Sequence, residues 1–202
     1  MLLPPIPCRS ETIVVMAPGP SLSQFQIDLI KASGLFTVAI GEAGRVGHPG
    51  ADITYHCERF WWNYYKGCPH ITGFKAAMQD TDYPDVYECP RSAMSEGFDF
   101  EYPKLVTGYN SGYQAINLAI HFKPKRLILV GYDMKDAADG RHNIAGDHPA
   151  EIKRPTNFVL FREHMKTLLK PLEDLGITVY NCTIDTELTC FPKKELTDVL
   201  GA

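Results

Sequence analysis

The sequence predicts an α/β fold, a Rossmann-like three-layer sandwich built on a mainly parallel sheet. Continuous apolar and β-branched runs at residues 12–17 and 126–131 are typical of strands buried on both faces. Each run leads into a glycine-containing turn, and helical patterns alternate with the strands along the chain. Right-handed crossovers would bring the carboxyl ends of the strands to one edge, where open α/β sheets bind ligands.

The first strand and helix are predicted by one apolar run and the turn after it. Residues 12–17 are expected to form a central buried strand. Ser21 then offers an N-cap for a helix running to about residue 32, in which Phe25 and Leu29 recur at helical spacing. Gly34 is expected to end that helix in the left-handed conformation.

Two further strands and an aromatic helix follow. Residues 35–40 and 52–57 are expected to form the strands, and residues 58–65 the helix. Its Trp61 and Trp62 could pack in the core or at a dimer contact, or they could stack on a base or sugar. Packing is the preferred interpretation, because adjacent residues on a helix point in different directions.

The middle of the chain combines an irregular stretch with the strongest local pattern. Prolines interrupt any period across residues 67–106, so we expect mostly loop there, with short strands around Ile71 and Val86. Asn110 then opens a helix with an apolar band, and this helix returns to the buried strand at residues 126–131.

The last third is predicted to be polar loop, helix, strand and tail. A segment rich in glycine and histidine occupies residues 135–149, and a long helix is expected over residues 156–175 with Gly176 as its terminator. Residues 177–181 supply the last strand. Residues 188–192 form a tail that we expect to pack back onto the core.

Bulk properties limit the classes of function. A chain of 202 residues with 45% hydrophobic content is long enough for one domain with its own core, so we expect a single domain over residues 1–202. The formal charge of −4 gives no support for nucleic-acid binding, which needs clustered Lys and Arg. The six cysteines contain no C-x-x-C pair, which predicts reduced, mostly buried thiols. Residues 1–5 are broken by proline and far too short to span a bilayer, so we expect no membrane span and a cytoplasmic location.

The turn after the first strand is a candidate anion site. Gly19 permits close backbone approach, Pro20 presets φ, and Ser21 offers a hydroxyl and an amide near a helix N-terminus. A plain strand-to-helix turn capped by serine is the alternative interpretation. The turn is neither a dinucleotide fingerprint nor a P-loop.

A second helix start carries Asn110, Ser111 and Gly112. Ser111 could donate to a phosphate or a sugar hydroxyl, while Gly112 would let the ligand approach the backbone. Helix capping by Asn110 or Ser111 alone remains the alternative. Two such helix starts in one sheet favour ligand binding.

Titratable residues gather after the strand at 126–131. Asp133 follows it directly, a standard place for a carboxylate that binds ribose or metal. His148 lies beside Asp147 in the following loop, and a histidine suits proton transfer near neutral pH. The alternative is a solvated loop. The other loop residues of this kind are Asp136, Asp139 and His142, and their spacing matches no tight metal motif.

Taken together, these sequence motifs resemble those of the superfamily that includes the bacterial lipooligosaccharide sialyltransferases and the archaeal-type 6-hydroxymethylpterin diphosphokinases. The resemblance is closer still to the small bacteriophage proteins of that group, and it spans nearly the whole chain. The matching segments are residues 19–22, 110–112 with 115–119, 127–133, 147–149, and Asn181 through Leu188 to residues 191–192.

The resemblance implies a nucleotide-binding, transferase-like domain. In the sialyltransferases the donor's phosphate and cytidine lie against the Gly-Pro-Ser-Leu loop and the Ser-Gly helix start, and a histidine in the late loop is the general base. Carried over, this assigns Gly19, Ser21, Ser111 and Gly112 to donor binding and His148 to proton removal.

The chain also departs from those enzymes. Pro18 stands where they have asparagine before Gly-Pro-Ser, and Gly41 stands where a second asparagine follows the second strand. Residues 134–140 contain none of the tyrosines that assist the leaving phosphate in the family. These departures argue against sialyl transfer in particular.

The sequence therefore predicts a transferase that uses a nucleotide or nucleotide sugar, of glycosyltransferase type. Ser21 and Ser111 would position the phosphates, Asp133 would contact the ribose or the acceptor, and His148 would remove the acceptor's proton. One alternative is diphosphoryl transfer, which would need Mg²⁺ on carboxylates such as Asp133 and Asp147. Another is a nucleotide-sensing or sequestering module without catalysis. The acceptor and the oligomeric state stay open, a homo-oligomer included, and a phage origin would place the protein in the host cytoplasm.

Overall fold

The computed structural model describes residues 1–8 and 10–201, and within them seven strands form one all-parallel sheet. This confirms the predicted Rossmann-like α/β class. The strand order across the sheet is β5-β4-β3-β2-β1-β6-β7. The strands are β1 (Thr12–Met16), β2 (Phe36–Ile40), β3 (Ile53–Tyr55), β4 (Phe74–Ala77), β5 (Val86–Glu88), β6 (Arg126–Val130) and β7 (Thr178–Asn181).

Helices cover both faces of the sheet. They are α1 (Gln24–Ser33), α2 (Arg59–Tyr64), α3 (Ser111–Ile120), α4 (Phe158–Lys166), α5 (Leu169–Asp174) and α6 (Leu196–Leu200), with a π-helical turn at Ala43–Gly47. Alternate residues of β1 enter different cores: Val15 packs in the cluster that contains Ile116 of α3, and Val14 in the one that contains Ile27 of α1. This alternation explains why the strand reads as continuously apolar.

The sheet has a topological switch point between β1 and β6. Ile13 of β1 lies opposite Phe36 of β2 on one side and opposite Leu127 of β6 on the other. The chain lays down β2 to β5 in one direction, and it then returns through α3 to add β6 and β7 on the opposite side. A crevice forms where the connections diverge, outside the carboxyl ends of these two strands.

Helix α1 begins later than the sequence predicts. Its N-cap is Ser23, whose hydroxyl accepts from the Gln26 N–H at 3.2 Å, so the prediction of Ser21 as the cap was wrong. Ser21 lies before the helix because its own N–H is bound to Asp133. The other end agrees with the prediction, since Gly34 caps the helix in the left-handed conformation at φ 62°.

The third predicted strand is confirmed as β3, but the irregular stretch contains a strand that the sequence did not predict. The predicted strand near Val86 exists as β5, whereas Ile71 lies in a turn and the strand forms at Phe74–Ala77. This strand contains two alanines and Lys75, so it lacks the continuous run of large apolar residues that predicts a buried strand. The lysine is nonetheless buried, because its ammonium binds the carboxylate of Asp85 and the carbonyl of Gly67.

The long helix predicted over residues 156–175 is two helices, α4 and α5. Pro171 lies in the first turn of α5, where its missing N–H is tolerated, but it could not continue an unbroken helix from α4. The predicted tail packs back as expected, with Leu188 and Phe191 buried. Helix α6 follows it and was not predicted.

The aromatic helix α2 places both tryptophans in the interior. Trp61 is 1% exposed and Trp62 is fully buried, and their rings meet edge to face at 4.9 Å between centroids. This confirms the packing interpretation for both residues. Trp61 also forms part of the wall of the cleft described next.

Candidate functional site

A cleft of about 320 Å³ opens at the carboxyl ends of β1, β2, β3 and β6, over the switch point. It contains most of the residues that the sequence singled out, brought together from segments far apart in the chain. Its polar and glycine lining includes Gly19, Gly41, Glu42, His56, Cys57, Glu58, Asn110, Ser111, Gly112, Gly131, Asp133, Lys135, His142, Asn143 and His148.

The amides of the Gly-Pro-Ser turn after β1 are all occupied by hydrogen bonds within the protein. Pro18 and Pro20 carry no N–H, and the remaining amides are all used. These bonds run from Gly19 to the Gly131 carbonyl (2.9 Å), from Ser21 to Asp133 Oδ2 (2.8 Å), and from Leu22 to the Gly19 carbonyl (3.1 Å). Gly19 and Pro20 line the cleft, whereas Ser21 does not. The turn therefore contributes to the shape of the cleft, but it has no free amide to donate to a ligand.

Asp133 joins this turn to the end of β6. It is 3% exposed, and burial raises the pKa of its carboxyl against the lowering effect of the Ser21 amide and hydroxyl. A Cβ added to Gly19 would lie 2.0 Å from its Oδ1, so only glycine fits opposite it. That Oδ1 is buried without a hydrogen-bond partner among the described residues. Asp133 thus braces the turn through Oδ2, while Oδ1 stays without a partner among the described residues.

The N-terminus of α3 presents free backbone amides to the cleft. Asn110 caps the helix, its Oδ1 accepting from the Tyr113 N–H at 2.8 Å. The N–H groups of Ser111 and Gly112 find no acceptor in the described part of the chain, and both residues line the cleft. Unsatisfied amides and the helix dipole together favour a negatively charged group at this point.

The glycine at this helix start is needed for packing. A Cβ on Gly112 would lie 2.9 Å from Cε1 of Tyr132 and 3.0 Å from Oδ1 of Asn110. The Tyr132 hydroxyl donates to the Gly112 carbonyl at 3.0 Å, which holds the first turn of α3 against β6. A bulky substitution here would disturb the helix start itself, so it cannot report on ligand contact alone.

His148 reaches the cleft from the late loop and faces a buried carboxylate. Its Nδ1 lies 3.8 Å from Oε1 of Glu42, which is 1% exposed. This Nδ1 is buried and has no hydrogen-bond partner in the described structure, so Nε2 is the nitrogen left for a ligand. Burial lowers the pKa of the imidazole although Glu42 raises it, and the ring is therefore neutral near pH 7.

His142, the nearest competitor for the role of base, has both ring nitrogens engaged. Its Nδ1 lies 2.7 Å from Asp136 Oδ1, and its Nε2 lies 3.2 Å from Oγ1 of Thr156. The two histidine rings are 5.9 Å apart between centroids. The geometry therefore favours His148 over His142 as the histidine that serves a ligand.

Glu42 and His56 belong to the site but were not predicted. Glu42 follows Gly41 at the end of β2; its Oε1 accepts from the Trp61 indole at 3.2 Å and its Oε2 pairs with Arg45 Nε at 2.6 Å. His56 follows β3 and stacks on Trp61, with ring centroids 4.6 Å apart and an interplanar angle of 8°. Their position as the first polar side chains after two strands is the signal that could have found them.

The carboxylates suggested for Mg²⁺ lie apart. Asp147 does not line the cleft and pairs with Lys153, while Asp133 is committed to the Ser21 turn. His56, Cys57 and Glu58 hold ligand-type atoms within 4.8 Å of one another. However, the Nδ1 of His56 accepts from the Glu58 N–H, and burial raises the pKa of the Cys57 thiol to about 12. Because one nitrogen is occupied and the thiol is protonated, these groups are poor metal ligands, and we assign no metal site to them.

Two of the five described non-glycine residues with positive φ lie beside the helix start and the Asp133 turn. Tyr109 and Met134 have φ values of 59° and 54°, in the left-handed region that non-glycine residues rarely adopt, and both line the cleft. Tyr109 is also 59% exposed although it is a large aromatic residue. Conformations of this kind tend to be retained at functional sites.

The fold and the cleft together define a class: a Rossmann-like α/β protein with a cleft at its switch point. No protein-family model, curated protein or solved structure matches the chain. None of the described helices has the length and apolar character that crossing a bilayer demands.

Proposed function

We propose that the protein is a nucleotide-binding transferase of glycosyltransferase type, which takes a nucleotide or nucleotide sugar as its donor. The observation that carries this proposal is the pair of unsatisfied amides, Ser111 N–H and Gly112 N–H, at the wall of the cleft over the switch point. The phosphates of the donor would bind these amides. The sequence resemblance to sialyltransferases and diphosphokinases supports the same class.

The proposed reaction is a displacement at the anomeric carbon of the donor sugar. The oxygen of an acceptor hydroxyl forms a bond to that carbon, and the bond to the donor phosphate breaks with its electron pair leaving on the phosphate oxygen. His148 removes the hydroxyl proton through Nε2, for which its lowered pKa leaves the ring unprotonated at neutral pH. Glu42, at 3.8 Å from Nδ1, would stabilise the imidazolium that results.

Binding is tested first, by thermal shift against a panel of nucleotides and nucleotide sugars, and then by calorimetry on any ligand found. The sharpest variant is Ser111→Pro, because proline is tolerated at the first position of a helix and removes one of the two amides. Asn110 is extended at φ −153° and ψ 152°, as a residue before proline prefers. Ser111→Ala is the matched control, since it removes the hydroxyl and keeps the amide.

We expect Ser111→Pro to weaken nucleotide binding by about tenfold or more and Ser111→Ala to weaken it far less, because a hydrogen bond to a charged group contributes roughly 1.5–3 kcal/mol. Equal affinity for both variants and the unmodified chain would contradict the assignment. Tight binding without turnover of any donor would instead favour a sequestering module. Magnesium-dependent turnover of ATP would favour diphosphoryl transfer.

A further inference from the structure

His56 is held in place on three sides. Its Nδ1 accepts the N–H of Glu58 at 3.2 Å, its ring stacks on Trp61, and its carbonyl accepts from the Trp62 indole at 3.0 Å. Trp61 is itself fixed by Glu42, which accepts from its indole. A side chain positioned this firmly at the wall of a cleft is preorganised for a ligand, because its rotamer entropy is already lost.

These contacts determine which ring nitrogen carries the proton. A backbone N–H can only donate, so the Nδ1 that accepts it is unprotonated. The neutral ring must then carry its hydrogen on Nε2, and Nε2 has no hydrogen-bond partner among residues 1–8 and 10–201. The titratable groups around the ring are His148, Cys57 and Glu58, with Glu42 bound to the indole of Trp61, and burial lowers the pKa of His56 to about 3. The ring is therefore a neutral donor at all ordinary pH values.

Two neighbouring residues bring the start of α3 and a further unpaired donor into the same cleft as His56. Cys57, the next residue, lies beside the side chain of Ser111, which brings the end of β3 against the first turn of α3. Asn143 lines the same cleft at 1% exposure, and its Nδ2 is buried without a partner while its Oδ1 accepts from the Ala145 N–H. The cleft thus contains several neutral donors without acceptors, a set that suits a ligand rich in oxygen acceptors.

We propose that His56 is a ligand-binding residue that donates its Nε2–H to a phosphate oxygen seated on the N-terminus of α3. This inference rests on the proposed nucleotide binding. It adds that a neutral imidazole, that of His56, recognises the phosphate of the nucleotide. Such a donor binds the anion without supplying a counter-charge.

Two substitutions distinguish the hydrogen-bond donor of His56 from the packing of its ring. His56→Gln keeps an N–H at similar reach, and His56→Phe keeps an aromatic ring to stack on Trp61 but has no donor. With inorganic pyrophosphate as the probe in calorimetry, we expect His56→Gln to bind within about threefold of the unmodified chain. His56→Phe should bind about tenfold more weakly, as for loss of a hydrogen bond to a charged group. Both variants are first checked for cooperative unfolding.

Equal pyrophosphate affinity for His56→Phe and the unmodified chain overturns the inference, and it leaves the proposed function standing if nucleotides still bind. If neither pyrophosphate nor any nucleotide binds the unmodified chain, the proposed function and the inference fall together. A second measurement needs no ligand: nitrogen-15 NMR of the imidazole should show the Nε2–H tautomer unchanged from pH 5.5 to 8. An Nδ1–H tautomer, or titration within that range, also overturns the inference.

Discussion

The carboxylate of Asp133, three residues beyond β6, accepts a hydrogen bond from the backbone N–H of Ser21, five residues beyond β1, at 2.8 Å. One ion thereby ties together the two chain segments that diverge at the switch point. The turn that the sequence suggested as an anion site is already bound by an anion of the protein itself. The anion-binding role proposed for this protein therefore falls on α3, whose first amides are unsatisfied in the described part of the chain.

Removal of this bond should destabilise the fold. We expect Asp133→Ala to lower the free energy of unfolding by about 1–3 kcal/mol, because it leaves the Ser21 amide without its acceptor. Asp185→Ala is the control, since Asp185 pairs with Lys135 at 2.6 Å on an exposed surface and should change stability by at most about 1 kcal/mol. Urea unfolding of both variants measures the difference, and equal losses would contradict a special role for Asp133.

The close approach at Gly19 should tolerate no side chain. Gly19→Ala would place a Cβ 2.0 Å from Asp133 Oδ1 and 2.3 Å from the Gly131 carbonyl oxygen, so the turn must move apart. We expect a loss of more than about 2 kcal/mol, in the range of overpacked or strained sites. Gly50→Ala is the matched control, because its nearest neighbour would be 3.7 Å away and its φ is not positive. A Gly19→Ala variant as stable as Gly50→Ala would show that the turn is not tight.

His148 should contribute to turnover more than to binding. Once a donor substrate is identified, His148→Ala should lower kcat by roughly 10²–10⁴-fold with little change in donor affinity, because a general base acts in the transition state. His142→Ala should have a much smaller effect, since both nitrogens of His142 are engaged within the protein. Full activity in His148→Ala together with loss of activity in His142→Ala would transfer the role to His142.

His56 should make stability depend on pH in a defined window. Its pKa is about 3 in the folded protein and about 6.5 in an unfolded chain, so the unfolded state binds an extra proton between these values. The free energy of unfolding should therefore fall as pH drops below about 6.5. Between pH 7.5 and 5.5 we expect the unmodified chain to lose about 1 kcal/mol more than His56→Gln in urea unfolding. Parallel losses in the two proteins would contradict the burial of a neutral His56.

The sequence predicted the parts of the fold that rest on local chemistry. Apolar runs identified β1 and β6 because both faces of these strands are buried, and Gly34 identified the end of α1 because a left-handed residue is required there. Strand β4 could not be predicted in the same way, because Lys75 is buried only through partners that the fold supplies.

The location of the cleft was predictable from the sequence. Asn110, Gly112 and His148 meet in one cleft because parallel strands end at a common edge, a rule that needs no contact information. The partners of each group were not predictable, since the Asp133 bond to Ser21 spans the switch point. Glu42 and His56 could have been noticed as the first polar side chains after β2 and β3, but their contacts with Trp61 of α2 were not predictable.

The neighbours of β1 also determine when the cleft can come into existence. β2 is reached through one short crossover, whereas β6 must return from far along the chain, after β2 to β5 have been laid down. Because closure of long loops is entropically costly, the pairing of β1 with β6 is expected late in folding. The Gly19 turn and the start of α3 meet only after that step, so a partly folded or still growing chain has no binding site. Ligand capture would then mark the chains in which the whole sheet has assembled.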